Sequence, residues 1–190
     1  VGTNCGLIGQ NAAIEVDGAA YWISDNGFFR YSGNLETMTC LVEDFVFDDI
    51  NTTASQLINV GLNNLFGEIT WFYPTQSSEV VNRSVTYNYA ESVPERPIWT
   101  TGSLARTTWV DSAVFGLPHG TSYNATGTSY DVVGNTEGAT TYYQHETGTD
   151  QVKSSATTTV AANIESGDFD ITRGQGGADL RGDGEFIMKI

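Results

Sequence analysis

The chain has 190 residues, 39% hydrophobic and 12% aromatic. That is enough apolar surface for one packed domain or two small ones, and too much for a disordered segment. Eight Lys plus Arg stand against 23 Asp plus Glu, a formal net charge of −15, and the arginines (Arg30, Arg83, Arg96, Arg106, Arg173, Arg181) are scattered. This excludes a basic patch tracking nucleic-acid phosphates, so DNA is expected to meet at most a small local surface or a wall that it slides past. No run of 18 apolar residues is present, which excludes a membrane-spanning helix of the usual kind.

Charged residues are only 16%, below the roughly 25% of ordinary domains. Thr, Ser, Asn and Gly take their place, a mixture suited to strands with polar outer faces and tight turns. In chain order, Ala12–Val16 and Ala19–Ile23 flank Asp17-Gly18. Asp-Gly between apolar runs predicts a two-residue hairpin with positive φ at both turn residues. Asp25-Asn26-Gly27 turns the chain into Phe28–Tyr31, Ser32-Gly33 turns it again, and Met38–Val42 is the next expected strand. Thr52–Leu57 is expected as one short helical turn capped by Asn51 or Thr52, with Gln56 closing the box. Strands are then expected at Leu57–Leu62, at Glu68–Tyr73 before Pro74, at Arg83–Tyr89 and at Ile98–Gly102, with a polar loop over Gln76–Val81.

A third unit opens at Arg106–Val110. Residues 115–138 are expected as a long loop or small hairpin, Thr140–Glu146 as a strand, Val160–Gly167 as another stretch, Gly174–Gly184 as a Gly-rich loop and Glu185–Ile190 as a closing strand. Tyr21-Trp22, Trp71-Phe72 and Tyr142-Tyr143 occupy a recurring slot, at spacings compatible with blades of roughly 40–50 residues and one insertion. The expected fold is all-β, with antiparallel meander sheets as β-propeller-like blades, or alternatively a β-sandwich. The expected organisation is two blade-like four-stranded units over 1–110 and a third unit with a long loop insertion over 111–190. Val1-Gly2-Thr3-Asn4 has neither initiator Met nor signal peptide, and the last residues are strand-like, so the chain is expected to be a piece of a longer propeller protein.

His145-Glu146 is the most chemical-looking pair, but strand neighbours point to opposite faces, and His119 is the only other histidine. His145 is expected to be structural. Glu43, Asp44, Asp48 and Asp49, and Asp168, Asp170, Asp179, Asp183 and Glu185, include no pair whose separation sequence can fix for glycoside hydrolysis. Asp179–Glu185 lacks the ligand order of an EF-hand loop and is read as a solvated turn, with a wrapped calcium ion as the alternative; Arg181-Gly182-Asp183 spells an adhesion tripeptide, which chance explains in so Gly- and Asp-rich a stretch. Cys5 and Cys40 are read as buried thiols, with a single bridge as the alternative. Trp22, Trp71, Trp99 and Trp109 sit on strands and are expected in the core rather than on sugars. Asn51, Asn82 and Asn124 begin N-x-Ser/Thr sequons. No catalytic, cofactor-binding or metal residue is assigned, and no enzyme activity or cofactor is expected.

Tyr21-Trp22-Ile23-Ser24-Asp25-Asn26-Gly27-Phe28-Phe29 resembles the aromatic–Asx-Gly–Phe hairpin of β-propeller-type tail hub or nozzle proteins of short-tailed bacteriophages. Asp48–Asn51, Glu68–Pro74, Val85–Tyr89, Trp99–Gly102, Ala105–Trp109 and Tyr143–Gly148 follow in the order found there. The resemblance implies a virion structural component: a homo-oligomeric ring forming part of the DNA-conducting tail tube, touching other tail proteins and passing DNA without specific binding. The alternative from the residues is a secreted or surface carbohydrate-binding β-module, motivated by the sequons, Tyr123, Tyr130 and acidic loops.

Overall fold

The computed structural model describes residues 4–124, 139–148, 150–153 and 156–159. It is all-β, with antiparallel sheets and only short helical turns. The chain divides into two compact units, Val1–Thr147 and Gly148–Ile190.

In the first unit, strands β1 (Ala13–Val16), β2 (Ala19–Ser24), β3 (Gly27–Tyr31) and β4 (Leu35–Met38) form a four-stranded meander in sequence order. Asp17 (φ 51°) and Gly18 (φ 79°) both lie in the left-handed region, as the Asp-Gly hairpin requires. The fourth strand is Leu35–Met38, not Met38–Val42. Ser32-Gly33, with Gly33 at φ 101°, sets a register that puts Leu35 opposite Tyr31 and Met38 opposite Phe28. Pairing is complete by Met38; Cys40 then turns into the core, and the chain enters the short helix α1 (Glu43–Phe47), which the sequence reading missed.

The helical turn at Thr52–Leu57 is a 3-10 turn. Asn51 caps it: its Oδ1 accepts from the backbone N–H groups of Thr53 and Ala54 at 3.1 and 3.3 Å, satisfying donors that the turn itself leaves open.

Strands β5 (Asn59–Asn63), β6 (Glu68–Tyr73), β7 (Arg83–Asn88) and β8 (Trp99–Gly102) form a second meander, close to the expected spans. A third sheet has β9 (Thr108–Val110), β10 (His119–Asn124) and β11 (Ala139–Gln144), in the order β11-β10-β9. A short helix, α2 (Ser112–Phe115), joins β9 to β10 and ends at left-handed Gly116. Tyr142-Tyr143 therefore lies on the third strand of its sheet, not on the second as Tyr21-Trp22 and Trp71-Phe72 do; the aromatic slot does not repeat in the third sheet, whose matching indole, Trp109, sits on the first strand. The second unit contains a hairpin of β12 (Asp150–Lys153) and β13 (Ala156–Thr159). The stretches expected over Val160–Gly167, Gly174–Gly184 and Glu185–Ile190 lie outside the described residues.

The leading strands of the three sheets are neighbours. Asn11, just before β1, bridges in parallel to Asn59 of β5, and β5 in turn contacts β9. The sheets are thus stacked in series without closing into a ring, an order that suits successive blades and a layered sandwich alike.

Side chains of alternating residues explain the stack. In β2, Tyr21 and Ile23 are buried toward the second meander; in β6, Ile69, Trp71 and Tyr73 are buried toward the first. Phe28 sits at the centre, with ring centroids 5.1 Å from Trp71, 4.7 Å from Trp99 and 5.5 Å from Phe47. Phe72 faces the other way and packs on Trp109 at 5.7 Å. The second meander is therefore covered on both faces.

Candidate functional site

Three features of the first unit position side chains in ways that strand packing alone does not require.

The first is a series of indole hydrogen bonds that tie each sheet to the one before it. Trp71 Nε1 donates to Ala12 O at 3.0 Å and Trp99 Nε1 to Thr39 O at 2.9 Å, both from the second meander to the first. Trp109 Nε1 of the third sheet donates to Leu62 O of the second at 2.8 Å. Trp22 Nε1 makes the equivalent bond to Cys5 O at 2.9 Å, on the segment before the first meander. The expectation that tryptophans serve the core holds for Trp71 and Trp99, both buried. Trp22 is half-buried and stacked on Phe29 at 5.8 Å. An indole has one donor, and each here is spent on a backbone carbonyl of another element.

The second feature surrounds His145. It follows β11, and Glu146 beyond it has φ 57°, so strict strand alternation does not apply at this pair. The two side chains still go to separate places. His145 Nε2 accepts from Arg106 Nε at 2.9 Å, and its ring packs on Trp109 at 4.6 Å; Glu146 Oε1 accepts from Asn63 Nδ2 at 3.1 Å. Arg106 is buried, its guanidinium 3.8 Å over the Tyr143 ring. Burial and then the Arg106 charge push His145 down to about 4. Accepting from Arg106 requires the neutral ring with its proton on Nδ1. His119 is engaged elsewhere: Tyr142 Oη and His119 Nδ1 are hydrogen-bonded, and Phe115 packs edge-on at 5.0 Å. In this structure both histidines make packing and hydrogen-bonding contacts.

The third feature is a cleft of about 340 Å³ between the first and second meanders. Its walls include Tyr21, Tyr87, Tyr89 and Pro94, and the pair Arg30 and Glu36 lies along it. The register β2–β3–β4 sets Tyr21 opposite Arg30 and Arg30 opposite Glu36. Arg30 Nε donates to Tyr21 Oη at 3.2 Å, and Arg30 Nη1 pairs with Glu36 Oε2 at 3.0 Å. The Tyr21 bond, reinforced by Glu36, raises Arg30 above its ordinary value. Tyr87 packs on Trp99 at 4.8 Å, and Tyr89 Oη donates to Asn64 Oδ1 at 3.2 Å. No cleft follows from the sequence at these residues: the Asp-Gly hairpin and alternation place Tyr21 and Arg30 on one face, but Tyr87 and Tyr89 arrive from another sheet.

The remaining sequence candidates separate. Glu43 and Asp44 lie in the first turn of α1, and Asp48 caps its end. Asp49 lies 3.7 Å from Arg83. Cys40 is a buried thiol outside any disulfide, and burial pushes it up to about 11. Asn82 is buried, its Oδ1 accepting from Thr75 N at 2.8 Å and its Nδ2 donating to Thr75 Oγ1 at 2.9 Å. Asn51 Nδ2 donates to Ser78 O at 2.9 Å. Both amides are structural, and neither sequon presents a free nitrogen to a glycan. Asp168, Asp170, the 179–185 loop with Arg181-Gly182-Asp183, Tyr130 and the side chain of Asn124 lie outside the described residues. Among the described residues no three His, Cys, Asp or Glu side chains are placed to hold a metal, and no helix is long and apolar enough to cross a membrane.

Compared with known proteins, the sequence matches no family model and no curated protein.

Proposed function

We propose that this chain is a structural module of an oligomeric assembly, and that the assembly is a virion tail tube of the short-tailed phage type. The observation that carries the mechanical part is the indole series: Trp71 to Ala12, Trp99 to Thr39 and Trp109 to Leu62 join three consecutive sheets. Each is an inter-sheet hydrogen bond to a backbone carbonyl, and the fully buried Trp71–Ala12 bond in particular resists shear because no water is at hand to replace its donor. A row of sheets joined this way is a stiff wall element. The tail identity rests on the ordered aromatic and Asx-Gly motifs from Tyr21 to Gly148.

In this reading copies of the chain close a ring. A channel lined by a protein of net charge −15 repels duplex phosphates within a Debye length of about 8 Å and lets DNA move without sticking. The test is compositional and visual. Mass spectrometry and cryo-electron microscopy of purified particles of the source virus should find the chain as a ring in the lower tail. Its absence from the particle ends this reading.

A further inference from the structure

We propose that the cleft between the first two meanders is a binding site for a neutral saccharide, at the scale of one or two sugar rings. The inference is independent of the tail reading, since it rests on the cleft alone.

Its size, about 340 Å³, falls at the small end of the roughly 300–1,000 Å³ typical of ligand pockets. Charge decides the ligand class first. Arg30 is paired with Glu36 at 3.0 Å, so the one ion pair in the cleft is internally balanced. The chain as a whole carries −15. An anion would meet a guanidinium whose charge Glu36 already neutralises and a repelling surface; a cation would compete with Arg30 for Glu36.

Polarity decides next. Tyr87, Tyr89 and Pro94 line the cleft with aromatic and apolar surface, of the kind that suits the C–H face of a pyranose. Arg30 spends N–H groups on Tyr21 and Glu36, and its planar fork has five in all. The remaining donors and the Glu36 carboxylate form a donor–acceptor pair side by side, matched to neighbouring hydroxyls that each donate and accept. Thr39 adds a further hydroxyl-bearing side chain to the lining. A purely apolar ligand would strand these groups. The site is also held in place: Tyr21 and Tyr87 pack against each other at 6.3 Å, and Tyr87 rests on buried Trp99, so little ordering remains to oppose binding.

The probes are the methyl glycosides of glucose, galactose, mannose and N-acetylglucosamine with their common disaccharides, and a polyproline decapeptide as the competing chemistry for a tyrosine-lined groove. Saturation-transfer NMR on the full chain should detect at least one saccharide with a Kd of about millimolar or tighter. The variants are Glu36→Gln, which keeps shape at a half-exposed position, and Tyr89→Leu, which keeps apolar bulk but removes the flat ring. Each should weaken binding about tenfold, equivalent to about 1.4 kcal/mol, with the thermal midpoint unchanged for Glu36→Gln and the folded circular dichroism spectrum retained for Tyr89→Leu, which also gives up the bond to Asn64. Silence from every saccharide at about 10 mM overturns the proposal. So does binding that neither variant weakens, or binding of the polyproline peptide in place of sugars.

Discussion

Trp109 lies so close over Gly61 that a methyl group on that glycine would come to 2.5 Å from Trp109 Cγ. The third sheet reaches its hydrogen bond to Leu62 O, one residue along β5, only because β5 has no side chain at position 61. Close approach of two backbones or rings is one of the few reasons for glycine inside a strand. Gly61→Ala should therefore push the third sheet off the second. The expected cost is about 1–3 kcal/mol, read as a lower urea midpoint. An unchanged midpoint would mean that the Trp109 contact is not made in solution.

The indole bonds of Trp71 and Trp99 are separable from their rings. Trp71→Phe keeps an aromatic side chain facing Phe28 but removes the indole donor to Ala12 O in a fully buried setting, leaving that carbonyl only the longer bond from Ile23 N at 3.3 Å. It should cost about 1–3 kcal/mol, since the lost bond and the smaller ring act together. Trp99→Phe should cost less, because Thr39, whose carbonyl it serves, is exposed and water can replace the donor. The two rings lie 6.2 Å apart and share Phe28, so the double variant should depart from additivity. Denaturant titrations of the four species decide this; equal single costs and exact additivity would contradict the shared cluster.

His145 gives the fold an acid sensitivity with a defined sign. Its folded value is about 4 against an unfolded value of about 6.5. Between those values the unfolded chain binds a proton that the folded ring refuses, so stability falls as pH drops from about 6.5 to about 4 and levels off below. The ring is half-buried, and after allowance for solvent screening the loss is roughly 1–2 kcal/mol. His145→Gln retains an acceptor for Arg106 without a titrating ring. The difference between wild type and variant should therefore carry the pH dependence of this group alone. Parallel stability curves across pH 4–7 would remove His145 from the account.

The Cys40 thiol, buried and pushed up to about 11, should be almost entirely protonated at neutral pH. Alkylation of the native protein should leave Cys40 unmodified for as long as the fold persists, with modification appearing across the unfolding transition. Peptide mapping after iodoacetamide treatment reads this directly, and fast native labelling of Cys40 would show that its site opens locally.

How much of this was legible differs by feature. Glu68–Tyr73 declares itself because β-branched and aromatic residues run up to Pro74, and Asp17-Gly18 because its backbone demand is local. Met38–Val42 has the higher strand propensity, but register from the Ser32-Gly33 turn outweighs it and places the strand at Leu35–Met38. The 43–47 helix has too few residues to show a period. The inter-sheet bonds were invisible because each acceptor is a backbone carbonyl 47 to 60 residues away, and every residue has one of those. The cleft escaped for a related reason: Tyr21 and Tyr87 come from different meanders, and only their docking brings them together.

The double covering of the second meander also bears on how the chain reaches its native state. Within each of the first two meanders every strand pairs with its neighbour in sequence, so these pairings can form early. Trp71 finds Ala12 across 59 residues and Trp109 finds Leu62 across 47, and such non-local contacts come at the cost of closing long loops. Refolding should accordingly separate into rapid hairpin zippering and a slower docking stage. Indole fluorescence follows the docking stage, and the middle meander, which needs both neighbours, becomes protected from hydrogen exchange last.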